Sequence, residues 1–333
     1  TDFNDLLIEL EKDYHSKNLF LDEIQYVAGW ERFARRAFDQ GYKLYISGSN
    51  SRLLNSELAT HLTGRYRKSE LFPFSFREYL SLKGIDPSDP STEGQGALRN
   101  AFEVYLADGG FPEYLVTSDK GYHGRIYNDI IYRDIIARYG IRNVKGFRNL
   151  AQYLLTGIAK PVNYNAVARV VGLNSTTSVR EYVSCLTESY LLFEVHRYDA
   201  SLKRQYLWDK KIYAADNGLR NSVAFRTSPD SGRLLENLVF IELRRRQNEV
   251  WFYRNAGGTE VDFYIPAGTE KLIQVCYDMS DPATLEREKS ALETAMKELG
   301  LRESFILTMA ERREIKTVSG IIYVRPVYEW LLA

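Results

Sequence analysis

A chain of 333 residues that is 44% hydrophobic and 26% charged is too long for one ordinary core and too apolar to be disordered throughout, so two or three domains are expected. Lys plus Arg and Asp plus Glu balance at 44 each, which excludes a uniformly basic or acidic binding surface and leaves only local patches. Two cysteines far apart, Cys185 and Cys276, exclude a disulfide framework and point to a reducing, cytoplasmic setting. No apolar run approaches the ~20 residues of a bilayer span. The acidic start "TDFNDLLIELEKDY" does not read as a signal peptide, so no membrane partner is expected. The histidines His15, His61, His123 and His196 lack ligand spacing, which argues against zinc.

In chain order, apolar spacing predicts a helix over 5–14, a buried strand over 19–22, a helix over 30–40 and a second strand over 43–48, the alternation of a parallel sheet. "IDPSDPSTEGQG" (85–96) predicts a loop, and 97 to about 160 reads as helical, interrupted by "GGFPEY" at 109–114. From 147 to 195, two short helices, a glycine turn, a third helix and a β-type segment predict a helix-turn-helix with a wing. Its expected core is Ala168, Val171, Leu173, Val179, Tyr182 and Leu186. The last third runs α-β-β-β-α-β, a small mixed domain opening on the helix 231–246.

The first chemistry lies at the end of "NLFLDEIQYVAGW". Ligands of open α/β sheets bind beyond the carboxyl ends of strands, where this one places Asp22 and Glu23. Asp22 is suited to hold Mg²⁺ directly or through water, and Glu23 to polarise the water that attacks a γ-phosphate, the arrangement of a Walker B element. The plainer alternative is that both acids complement the dipole of the next helix. On the adjacent strand, "KLYISGSNS" offers Ser47, Ser49 and Asn50 as small polar groups for a phosphate or the attacking water. "LTGRY" adds Arg65, either an arginine finger or a surface ion-pair partner.

The order of "LFLDEIQ", "ISGSNS", "LTGRY", "LFPFSFREYL", "GGFPEY", "YNDIIYRDII", "SVREYVSCLTESYLL", "KIYAADNGL" and "LLENLVFIEL…FYRNAGGTEVDFYI" resembles, over nearly the whole chain, the bacterial and archaeal AAA-type ATPases fused to a C-terminal domain of unknown function. The resemblance implies ATP and Mg as cofactors, Asp22 and Glu23 as Walker B acids, Asn50 or Ser49 as sensor 1, and Arg65 in nucleotide sensing. The loop G-x-x-x-x-G-K-[ST] that cradles phosphates does not occur in the sequence, so a truncation ahead of Thr1 is expected and the chain as given should not bind ATP normally.

The helix bearing Glu236, the strand "EVDF" with Asp262 and the strand "LIQVCY" resemble restriction-endonuclease-like domains. Such a site uses an acid and an E-x-K or Q-x-K on the next strand to hold Mg²⁺ and position water. Here Gln274 fills the first position but Cys276 the lysine's, so a vestigial nuclease site and a retained scaffold are expected, with Cys276 as a small buried residue. Ser175, Thr177 and Arg180, with Asn174 and Thr176, begin a would-be DNA recognition helix, and Lys203, Arg204, Lys210 and Lys211 follow as phosphate contacts; the alternative is a plain helix cap in a connector.

The fold class expected is therefore a multidomain α/β chain in four parts: an incomplete AAA-type P-loop NTPase core (1–84), a linker and helical lid (85–146), a winged helix-turn-helix (147–208) and a restriction-endonuclease-like domain (209–333). The leading function is an ATP-hydrolysing switch or motor. Its alternative is a DNA- or protein-binding module with a degenerate nucleotide site, and a homo-oligomer is compatible with either.

Overall fold

The protein is described by a computed structural model covering residues 5, 8–9, 12, 16–24, 27–49, 65–225, 230–246 and 249–333. It is a mixed α/β chain that divides into two compact units, residues 1–70 with 188–190, and residues 71–187 with 191–333.

In the first unit, β1 (Asn18–Leu21) pairs in parallel with β2 (Lys43–Ile46), with Leu21 opposite Ile46. The helix Trp30–Asp39 connects them and buries Trp30, Phe33, Ala34 and Ala37, spaced i, i+3, i+4 and i+7 so that one stripe faces the strands. Leu19 and Tyr42 complete that core. The strand predicted at 19–22 begins and ends one residue earlier, so Asp22 is the first residue beyond it. It is also less buried than its sequence suggests: Phe20 is 75% exposed and stacks on Tyr45, ring centroids 4.6 Å apart.

The second unit opens with the helix Phe76–Lys83, capped by a reciprocal Ser75–Glu78 box. The helix Thr92–Asp108 follows, starting inside the segment predicted as a loop. The Ser91 side chain accepts the Gly94 N–H at 3.0 Å, and this cap, with the buried stripe Leu98, Ala101, Phe102, Tyr105 and Leu106, outweighs the poor helix propensity of Gly94 and Gly96.

Helices Val144–Thr156, Tyr164–Val171 and Thr176–Glu188 lead into a three-stranded sheet of order β3-β5-β4, formed by β3 (Pro161–Val162), β4 (Leu192–His196) and β5 (Lys210–Ala214). The expected core is found there. Ala168, Val171, Leu173, Val179 and Leu186 are buried together, and Tyr182 packs edge-on to Phe147 with centroids 5.2 Å apart.

The last third builds a six-stranded mixed sheet, β10-β11-β9-β8-β7-β6, from β6 (Trp251–Arg254), β7 (Glu260–Tyr264), β8 (Leu272–Val275), β9 (Glu303–Thr308), β10 (Arg313–Lys316) and β11 (Ile321–Pro326). The two-residue period of its strands feeds two cores. Ile273, Phe305 and Leu307 join the one containing the helix Ser231–Arg245, while Leu272 and Ile306 join the one containing Leu292, Ala295 and Met296 of the helix Pro282–Leu299. The helix Ser231–Arg245 is buried almost all round, from Leu235 to Leu243, as expected of a central helix.

Candidate functional site

Two clusters of polar side chains stand out, one in each unit. In the first, the parallel ladder continues past both strands: the Ser47 N–H donates to the Leu21 carbonyl at 3.0 Å, which sets Ser47 beside Asp22. The Ser47 hydroxyl donates to Asp22 Oδ1, and the Glu23 N–H donates back to Ser47 Oγ at 3.3 Å. The Ser49 hydroxyl donates to Glu23 Oε2 at 3.3 Å. Glu23 itself has φ 46°, a left-handed conformation that costs a non-glycine residue about 1 kcal/mol or more and that turns the chain sharply off the strand. The structure thus brings Asp22, Glu23, Ser47 and Ser49 together at the carboxyl ends of two parallel strands. Asn50 lies outside the described residues.

The helix Trp30–Asp39 carries its own first-turn acid, Glu31, so the dipole explanation applies to Glu31 rather than to the pair. Arg65 is not brought to the acids. Its Nη1 lies 3.5 Å from Asp39 Oδ1, and its guanidinium is 5.8 Å from the Phe38 ring centroid. Asp39 closes the ten-residue helix Trp30–Asp39, about 15 Å along its axis from Trp30 and four residues before β2 begins at Lys43.

In the second unit, Glu236, Asp262 and Gln274 do converge, together with a residue that sequence reasoning misassigned. Lys211, expected to meet phosphates, is 1% exposed. Its Nζ lies 2.9 Å from Asp262 Oδ1, 2.9 Å from Glu260 Oε1 and 3.0 Å from Glu236 Oε1. The correction has a plain cause: β5 is buried on both faces, and period-two alternation sets Lys211 and Tyr213 on the same one, where the Tyr213 hydroxyl donates to Glu236 Oε1 at 2.7 Å. Asp262 Oδ2 accepts the Val275 N–H at 3.0 Å, Gln274 Oε1 accepts the Asp262 N–H at 3.1 Å, and Gln274 Nε2 donates to Glu288 Oε2 at 2.8 Å.

Burial alone would push the Lys211 ammonium down, but the carboxylates of Asp262, Glu236 and Glu260 outweigh it and hold it well above its ordinary value. Burial, then the charge of Asp262, raises the Glu236 carboxyl. Cys276 is buried, its thiol donating to the Asp278 carbonyl at 3.2 Å, and burial pushes that thiol up to about 11, which leaves no thiolate at neutral pH. Among the described residues, no three His, Cys, Asp or Glu side chains are arranged to hold a metal ion.

The two motifs "GGFPEY" and "KIYAADNGL" meet. Buried Asp216 accepts the Gly110 N–H at 2.8 Å and the Leu219 N–H at 2.9 Å. Asn237 of the central helix pairs with both backbone groups of Ala214. On the helix Thr176–Glu188, Thr177 and Arg180 are exposed. Ser175 is taken up as its cap, accepting the Ser178 N–H at 3.1 Å.

Comparison with known sequences gives the chain an AAA-type N-terminal module. Residues 1–80 match an AAA domain, residues 99–230 a domain of unknown function (DUF8612) and residues 231–328 another (DUF4143). The chain is 34% identical to the uncharacterized protein MJ1544 of Methanocaldococcus jannaschii, over 99% of its own length and 78% of the relative's. It is also 29% identical to an uncharacterized protein of Haemophilus influenzae, over 84% of its own length and 71% of the relative's. It belongs to the family that includes MJ1544, and in this chain an AAA domain precedes two domains of unknown function. No described helix is long and apolar enough to cross a membrane.

Proposed function

We propose that the chain is an AAA-type ATPase, a nucleotide-driven switch or motor acting on a partner, with Asp22 as the Mg²⁺ residue and Glu23 as the residue that polarises the attacking water. The observation that carries this reading is the hydrogen-bonded set Asp22, Glu23, Ser47 and Ser49 at the ends of two parallel strands, inside the residues matched by the AAA model. Two carboxylates and two hydroxyls are hard oxygen donors of the kind Mg²⁺ takes. Bound Mg²⁺ with ATP supplies charge neutralisation of the phosphates. Ser47 holds the Asp22 carboxylate, and Ser49 holds the Glu23 carboxylate toward the strand ends, where water would be activated; Asn50 is read as a second sensor of the same kind. Arg65, on Asp39, serves this site only from another copy of the chain, which makes a homo-oligomer part of the reading.

The reading also needs a phosphate-binding loop, which these 333 residues do not contain. The test is ATP turnover by the protein expressed from its complete reading frame, with and without Glu23→Gln. Loss of the water-polarising carboxylate should lower kcat by about 10²–10⁴-fold, the range of a general base, while leaving nucleotide binding intact. Equal turnover sinks the assignment.

A second reading is favoured by the exposed Thr177 and Arg180 on a helix whose Val179, Val183 and Leu186 are buried. We infer a winged helix-turn-helix that meets DNA through that face, with Lys203 and Arg204, both exposed, in the segment between β4 and β5. Arg180→Ala should weaken duplex binding and shallow the log–log salt slope by about 1. Absence of any salt slope in the wild type removes DNA from the partners. The C-terminal sheet is read as a nuclease-like scaffold whose vestigial residues Glu236, Asp262 and Gln274 no longer cut.

A further inference from the structure

The densest buried charge in the second unit is the Lys211 cluster. Its parts come from two different family domains: Lys211 lies within residues 99–230, and Glu236, Glu260 and Asp262 lie within residues 231–328. An ammonium has three N–H donors, and Nζ has three carboxylate oxygens, one from each acid, at 2.9, 2.9 and 3.0 Å. The lysine is therefore saturated by three carboxyl groups, and even so burial and the charge of Asp262 raise Glu236. Arg254, at 4.0 Å from Glu260 Oε2, is the next cation toward them, and Glu288 behind Gln274 has its own arginine, Arg287, at 2.6 Å. Carboxyl groups gathered in a dry site stay ionised only while a cation remains among them.

We propose that Lys211 is a built-in counter-ion that closes this acid cluster to divalent cations and latches the β3-β5-β4 sheet to the C-terminal sheet. The three carboxyl groups are set around the ammonium rather than for a metal ion, and a divalent cation can draw them onto itself only by displacing a side chain that is buried and bonded on all three sides. Tyr213 reinforces the latch from the same face of β5, through its bond to Glu236. The inference stands apart from the ATPase reading, since it concerns other residues and a different readout.

The test is thermal unfolding of the full chain as wild type, Lys211→Ala, and Lys211→Ala combined with Asp262→Asn, each with EDTA or with millimolar MnCl₂. Wild-type Tm should be the same in both buffers. Lys211→Ala should melt lower in EDTA, by on the order of 10 °C, because carboxylates are left buried without a cation, and Mn²⁺ should recover part of the loss. Adding Asp262→Asn should abolish the recovery. If Lys211→Ala does not fold in EDTA, Lys211→Met with Glu236→Gln and Asp262→Asn, which removes the three most buried groups together and leaves the more exposed Glu260 to Arg254, should fold. Failure of that neutral variant as well, an unchanged Tm in Lys211→Ala, or Mn²⁺ stabilisation of the wild type equal to that of Lys211→Ala would each overturn the proposal.

Discussion

Asp216 shows how much a single buried carboxylate can set. It is 3% exposed, and burial raises its carboxyl from the ordinary 3.8 to about 6 in spite of the N–H bonds from Gly110 and Leu219. Between those two pH values the folded chain holds a proton that the unfolded chain has released. The stability associated with the protonated form is therefore complete below about pH 4 and lost as the pH climbs through 6, by about 3 kcal/mol. His123, whose Nε2 lies 4.0 Å from Asp216 Oδ1, is pushed down by burial and works in the opposite direction: its penalty applies at low pH and fades as the pH rises through the unfolded value near 6.5. Urea unfolding of wild type and Asp216→Asn from pH 4 to 7 separates the two. The difference between the proteins should change by about 3 kcal/mol over that range, and a flat difference would show that Asp216 titrates normally. Glu23 makes a related point at the other site. Its left-handed backbone is the strained residue of a cluster in which both carboxylates are already held by serines, as a preorganised site requires.

At the scale of elements, the meeting of "GGFPEY" with "KIYAADNGL" is a close approach of backbones. A Cβ on Gly218 would run into the carbonyl oxygen of Asp108, the residue before the first motif, and one on Gly110 would run into the Phe74 carbonyl oxygen on its other side. Gly218→Ala should therefore destabilise the chain by about 1–3 kcal/mol or more, since neither obstacle is the movable end of a side chain. Gly96→Ala, on the exposed face of the helix Thr92–Asp108 with nothing within 4 Å of the new methyl, should instead stabilise it by about 0.5–1 kcal/mol. Paired denaturant melts read both signs in one experiment. That helix also marks where local reading failed: "STEGQG" is rich in turn formers, yet Ser91 caps it and the apolar stripe that follows pays for its glycines. Periodic stripes elsewhere, such as Trp30, Phe33, Ala34 and Ala37, were plain in the sequence because three- and four-residue spacing is itself the fold signal.

Across the whole molecule, the sites divide by whether their parts are close in sequence. Asp22 with Glu23 and Ser47 with Ser49 each end a short strand, so strand ends and an adjacent parallel partner suffice to predict their meeting; their hydrogen bonds bear that geometry, while their roles rest on the proposed ATP chemistry. The order of motifs was likewise enough to place the chain among AAA-domain proteins, because a linear order survives without any contact. Lys211 could not be read in the same way. In sequence it is one of two adjacent lysines in a basic segment. Only the pairing of β5 and the central position of the helix Ser231–Arg245 bring it to acids 25 and 51 residues away. Arg65 was equally undetermined, since an arginine suits a phosphate or a surface acid alike, and the fold of its own unit sets it on Asp39. Sequence by itself determined most of the elements and the acids that follow β1, because propensity, periodicity and motif spacing are local properties of the chain. Tertiary structure alone decided which charges share a buried site, because that depends on which distant strands become neighbours and on the cost of leaving any one of those charges unpaired.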